Sequence, residues 1–194
     1  MAIDLHPTAT AVAALLRALP DEALERPTPC PEYTVAHLVD HIHSFAVGFT
    51  AAATKDPEIL ATGNRGGPPD VRRLGDDWRE RIPARLDELA DAWALPSSWE
   101  GMTTVGGLDV PGEVAGLIAL DELVVHGWDL AVATGEPFEA DAEVLGPLHT
   151  FVEGFVGDGP PRAGLFGPQV PVPDDAPLLD RVLGLTGRDP GWSP

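Results

Sequence analysis

Apolar residues recur at helical spacing along most of the chain. Ala11, Leu15, Leu16 and Leu19 form a stripe that predicts a helix over residues 8–19, opened by Pro7 and Thr8 and stopped by Pro20. The following stretch, residues 26–32, holds three prolines and must be extended or turned, because the residue before each proline is pushed out of the α region. Val35, Leu38, Val39, Ile42, Phe45, Ala46 and Phe49 predict a second helix from an N-cap at Thr34 to about residue 53, closed by Pro57. A third stripe, Leu74, Trp78, Ile82, Leu86, Leu89 and Trp93, predicts a helix capped by Asp70, with Pro83 inside it as the source of a kink.

Beyond residue 99 the period changes. Thr103, Thr104 and Val105, then Gly106 and Gly107, then Leu108 to Val110 read as a small β-hairpin. A long helix is expected over residues 112–134, stopped by Gly135 as a left-handed cap and by Pro137. Asp141 caps a further helix to about residue 156, a Pro/Gly-rich passage runs to Pro173, and residues 176–185 make a last short helix ended by Gly187. The fold class is therefore mainly α: a helical bundle with a small β-hairpin and a Pro/Gly-rich C-terminal segment. One domain is expected over 1–194, with the bundle over about 5–156 and the extension over about 157–194.

Composition narrows the partners. With 12 Lys and Arg against 31 Asp and Glu, the chain carries a net charge of −19, which disfavours nucleic acid and anionic membranes and leaves small molecules or proteins. A hydrophobic share of 44% is enough to build a core. The single cysteine, Cys30, allows no internal disulfide and no cysteine-rich zinc knuckle, so the cytoplasm is the simplest location. Asp4, and the lack of a basic region ahead of the first apolar stretch, argue against a secretory leader, and no apolar run reaches the ~18 residues of a membrane span.

Candidate chemistry sits on two helices. Glu122 and His126 are four residues apart, so both project from one face of the long helix, one turn apart. The rest of that helix is strongly apolar, and charges there need partners or a metal. A third ligand can come from the second helix, where His37 and His41 share a face and His43 points away toward solvent. His41 is taken as that ligand because Leu38, Ile42 and Phe45 flank it, with His37 as the substitute. Asp129, seven residues after Glu122, either accepts the second N–H of a ligand histidine or pairs with a nearby cation. The plainer alternative is that Glu122 and His126 are a hydrogen-bonded surface couple and the histidine run a surface accident. Cys30, between prolines, reads as a small buried hydrophobe, Trp128 as core, and His6 and His149 as ordinary surface residues.

Two segments carry a resemblance. Thr28-Pro29-Cys30-Pro31-Glu32-Tyr33-Thr34-Val35, followed by His41, and the block from Ala119 to Ala131 containing Glu122, His126, Trp128 and Asp129 resemble the N-terminal domain of mycothiol-dependent maleylpyruvate isomerase and its small relatives, members of the DinB/YfiT-like superfamily. The tail around Phe166-Gly167-Pro168 and Gly187-Arg188-Asp189-Pro190 is also similar to theirs. The resemblance implies a DinB-like four-helix bundle holding a divalent metal on His41, Glu122 and His126, the same three residues that helix spacing selects. Tyr33 stands where the family usually has Trp. The isomerase itself carries a second domain for which 194 residues leave no room, and no motif places an arginine for a substrate carboxylate; Arg65, in a glycine-rich loop, is not assigned that role.

The function expected is that of a metal-dependent thiol transferase or isomerase acting on a small electrophile. Zinc is the first expectation and Ni, Fe or Mn the alternatives, while mycothiol as co-substrate is implied by the resemblance alone. A non-catalytic metal- or small-ligand-binding bundle is the competing reading. A bundle serving mainly as a homodimerisation module is a third.

Overall fold

The computed structural model describes residues 2–62, 67–156 and 166–194. Helices α1 (His6–Ala18), α2 (Val35–Thr54), α3 (Pro57–Ala61), α4 (Trp78–Trp93), α5 (Gly112–Thr134), α6 (Ala142–Val156) and α7 (Leu178–Leu185) account for most of it, with strands β1 (Met102–Val105) and β2 (Leu108–Pro111) between α4 and α5. α1, α2, α4 and α5 pack against one another as a four-helix bundle. α6 leans on α5 and on α7, adding a partial outer layer on one side. Among the described residues no helix is long and apolar enough to cross a membrane.

α5 is the central element because it is apolar on nearly all sides, and such a helix is stable only when surrounded. Leu120, Leu123, Val124 and Leu130 are fully enclosed, as are Leu38 and Ile42 of α2 and Leu86 and Leu89 of α4. Gly127, between His126 and Trp128, permits a close approach: a Cβ there would lie 2.6 Å from Cε2 of Phe138 and 2.8 Å from Cγ2 of Val12. The hairpin closes through Gly106 and Gly107, both at positive φ (59° and 84°), as a two-residue turn of matching twist demands. Thr103 ties it to the bundle by donating its hydroxyl to the Ala52 carbonyl at 2.8 Å.

Boundaries differ from the sequence expectation at four places, the first being α1, which starts at His6, two residues earlier than expected. Pro57 does not merely close α2: Lys55 turns left-handed (φ 55°), Asp56 caps the next N–H groups, and Pro57 starts the short α3. Asp70 caps a single 3-10 turn, and α4 begins only at Trp78, because Gly75 at φ 67° breaks the continuity. Leu74 is buried all the same, which is why it fell in step with the helical stripe. α7 starts at Leu178, two residues later than expected. Residues 157–165, in the Pro/Gly-rich passage, lie outside the described residues.

Asp40 of α2 anchors the segment that leads into α4. Its carboxylate is 1% exposed and accepts from Arg73 Nη2 at 2.6 Å and from the Asp70 backbone N–H at 2.8 Å. Burial works to raise its pKa, but the Arg73 guanidinium and the Asp70 N–H outweigh it and hold the carboxyl below its ordinary value. A folded-state pKa below the unfolded one contributes stability that is present above the unfolded value, about 3.9, and is lost as pH falls through the folded value. Asp40→Asn is expected to cost about 2 kcal/mol near neutral pH. Urea unfolding of both proteins should show that difference shrinking once pH drops below about 4. A constant difference down to about pH 2.5 would mean the ion pair contributes nothing.

Candidate metal centre

α2 and α5 pack side by side, and their shared face brings His41 to Glu122 and His126. One donor atom from each residue lies within 4.8 Å of the others. Oε2 of Glu122 stands 3.1 Å from Nε2 of His41 and 3.2 Å from Nε2 of His126. Ligands at 2.0–2.1 Å from a tetrahedral zinc are roughly 3.3 Å apart, so these two edges match an ion's coordination shell. Two imidazole nitrogens and a carboxylate oxygen suit zinc, nickel, iron and manganese alike. The same distances serve as hydrogen bonds when no ion is bound.

The rings are held by their surroundings. His41 and His126 meet nearly perpendicular (86°) with centroids 4.7 Å apart; Phe45 lies parallel to His126, and Tyr33 and Phe45 set their rings edge-on to His41. Behind His126, Nδ1 is 2.9 Å from Oδ2 of Asp129, a fully buried carboxylate (0% exposed). Arg188 in turn donates to that carboxylate, Nη2 to Oδ2 at 3.0 Å, and Nη1 donates to the Thr186 carbonyl at 3.2 Å. Gly187, left-handed at φ 84° after α7, lets the chain turn there, with Arg188 N–H donating to the Leu183 carbonyl at 2.8 Å. Asp129 thus accepts from the ring and from a cation at once, which unites both roles weighed for it.

Electrostatics follow from this wiring. Burial works to raise the Glu122 carboxyl, but His126 and His41 beside it hold it well below the usual carboxylate range. Burial works to lower His126, yet the carboxylates of Asp129 and Glu122 on its two nitrogens push it up to about 9. Asp121 moves the other way. Burial, then the charge of Glu122, push it up to about 7.

The remaining candidates lie apart from this cluster. Nδ1 of His37 is 2.9 Å from the Thr34 hydroxyl and accepts from the Thr34 backbone N–H at 3.3 Å, so this residue closes the N-terminus of α2 rather than joining the donors. His43, expected at the surface, is half-buried, and burial lowers its pKa. Cys30 is free and half-buried, with its thiol pushed up by burial, as befits an inert residue. Trp128 is buried. His6 has partners the sequence did not reveal, Asp4 at 2.7 Å and Asp91 at 3.0 Å, and His149 is half-buried. Arg65 lies outside the described residues.

Glu122 and His126 also line a cavity of about 60 Å³. Phe151 and Phe155 of α6, with Phe166, form an aromatic wall, and Asp121 and Arg188 supply its other polar groups. Oδ1 of Asp121 has no hydrogen-bond partner among the described residues, a condition that costs about 1–3 kcal/mol in a folded protein. Neither Asp121 nor Arg188 was assigned a role from the sequence. Asp121 hides within the apolar run of α5, and Arg188 is 59 residues from the carboxylate it meets.

Bundle and donor set together define a protein built on a four-helix bundle, with a three-residue candidate metal centre on two adjacent helices. A model of the mycothiol maleylpyruvate isomerase N-terminal domain matches residues 5–131, and the chain belongs to that family. Proteins from two strains of Mycobacterium tuberculosis, both described as uncharacterized, are 28% identical over 92% of this chain and 92% of their own length. The crystal structure of the mycothiol-dependent maleylpyruvate isomerase shares the DinB-like bundle, with a TM-score of 0.53 at 17% identity. That likeness covers 76% of this chain and 65% of the isomerase chain. The matched family segment contains His41, Glu122, His126 and Asp129 but ends before the aromatic wall and Arg188.

Proposed function

We propose that this chain is a divalent-metal protein that binds a small thiol of the mycothiol type and promotes its addition to a small electrophile, as a transferase or isomerase. The observation that carries this reading is the meeting of three potential ligands, His41, Glu122 and His126, two of which line an aromatic-walled cavity, in a member of a mycothiol-related family. A divalent ion on such ligands supplies Lewis acidity that lowers the pKa of a thiol toward neutrality.

The protein's own groups have separable tasks. Glu122 contributes the one negative charge among the three donors. Asp129 holds Nδ1 of His126 and so presents Nε2 to the centre. Phe151, Phe155 and Phe166 exclude water and receive an apolar portion of a ligand. Cys30 is not among the cavity-lining residues, so the reacting sulfur comes from a co-substrate. In this reading the whole chain acts as one domain in the cytoplasm, where small thiols stay reduced.

Elemental analysis of protein purified without added metal, followed by assays of mycothiol with a panel of electrophiles before and after chelation, tests the proposal. Stoichiometric metal with chelator-sensitive thiol consumption is the expected result. Protein that purifies metal-free and takes up none on titration would refute it. Metal without thiol chemistry would favour a non-catalytic binding bundle, a reading with its own support: Glu122 already bridges both histidines at hydrogen-bond distance and can hold the helices together unaided.

A further inference from the structure

Arg188 lines the cavity, and the reading above gives it no contact with a ligand. Its guanidinium is held from two directions. Nε and Nη2 donate to the Asp129 carboxylate at 3.4 and 3.0 Å, and Nη1 donates to the Thr186 carbonyl at 3.2 Å. Both acceptor residues are fully buried, so the group is fixed in place before any ligand arrives. A guanidinium carries five N–H groups, and these three bonds leave one on Nη1 and one on Nη2 with no acceptor among the described residues. The side chain is 13% exposed and stands at the cavity beside Phe151, Phe155 and Phe166, whose rings supply no oxygen. Donors so enclosed ordinarily have a partner.

We infer that Arg188 is a recognition group for a ligand of this cavity, donating from Nη1 or Nη2 to a carbonyl oxygen whose carbon skeleton lies against Phe151, Phe155 and Phe166. The ligand class is a neutral ketone, ester or amide at this end. The guanidinium charge is already matched by Asp129 at 3.0 Å, so the site offers directed N–H groups rather than uncompensated positive charge. About 60 Å³ accommodates a short carbonyl-bearing group. Selectivity arises because an analogue without the oxygen leaves those N–H groups unpaired against an apolar wall. The inference deepens the proposed function and rests on it only in taking the cavity as a ligand seat; it does not depend on thiol chemistry.

Butanone labelled at its carbonyl carbon, and the alkene of the same shape in which a methylene group replaces the oxygen, test this by NMR on the intact protein, both metal-loaded and chelated. With its oxygen on Arg188, the ketone's carbonyl resonance should lie at least as far downfield as in water, because a hydrogen bond from a cation draws electron density from the carbonyl. In an apolar pocket without a donor it moves upfield. Labelled phenylalanine rings follow the affinity of both probes. Arg188→Lys keeps a cation for Asp129 but not the fork, and should weaken ketone binding about tenfold while leaving the alkene within about twofold. An upfield carbonyl resonance, no ketone binding, or a ketone affinity in Arg188→Lys that is unchanged or falls only as far as the alkene's overturns the inference. So does a downfield resonance that chelation abolishes, since the oxygen then sits on the ion. Should Arg188→Lys fail to fold, the carbonyl resonance in the unaltered protein decides. A downfield ketone with no thiol reactivity sinks the proposed function alone; thiol reactivity with an upfield or unbound ketone sinks this inference alone.

Discussion

Glu122→Gln is expected to lower divalent-metal affinity by more than about 100-fold, so that protein purified without added metal carries almost none. Loss of a group that merely orients a metal's ligands typically costs about 10–100-fold in affinity. Glu122 is nearer than that: its Oε2 is the atom common to both short edges of the cluster, 3.1 Å from His41 and 3.2 Å from His126. It is also the only anion of the three, and its removal leaves an ion's double charge facing two neutral imidazoles in a largely buried site. Gln preserves the shape of the side chain, so circular dichroism should be unchanged. Metal content by mass spectrometry and affinity by chelator competition read the result. Unaltered metal binding in this variant would show that the three residues are a hydrogen-bonded cluster and nothing more.

Arg188→Ala is the second large effect and acts on two observables. Asp129 has no exposure to solvent, and without the guanidinium its charge is left with His126 as its partner. Breaking a buried pair from one side costs about 3–5 kcal/mol, and the lower end applies because His126 remains. The same loss frees the ring that Asp129 steadies, so metal affinity should fall about 10–100-fold. Arg188→Lys should recover part of the stability but less of the affinity, since an ammonium cannot reproduce the fork. Thermal unfolding of metal-free protein and chelator competition measure the two separately. A variant within about 0.5 kcal/mol and twofold of the unaltered chain would show that Arg188 is dispensable.

Much of the centre was legible because its parts share an element. Glu122, His126 and Asp129 stand at i, i+4 and i+7 of one helix, and that period alone puts them on one side. His41 is set apart from His37 by its flanking Leu38, Ile42 and Phe45, all of which are buried. The competing pull on His37 came from Thr34, three residues earlier, a local bond that outranks a distant cluster. What periodicity could not show is contact made across the fold. Arg188 reaches Asp129 from beyond α7, and His6 reaches Asp91 across 85 residues. The start of α4 was displaced for a different reason: Leu74 is buried in step with the stripe, but Gly75 departs from helical geometry, and burial pattern alone does not register a break of one residue.

The bond between Arg188 and Asp129 also makes the C-terminal segment and the histidine face partners in one equilibrium. Whatever factor by which a docked segment tightens a ligand at His126, thermodynamic reciprocity requires that ligand to hold the segment docked by the same factor. The last turn of the chain is then a reporter: its amide protons should exchange more slowly when the centre is filled, so that occupancy in the bundle can be read from its tail.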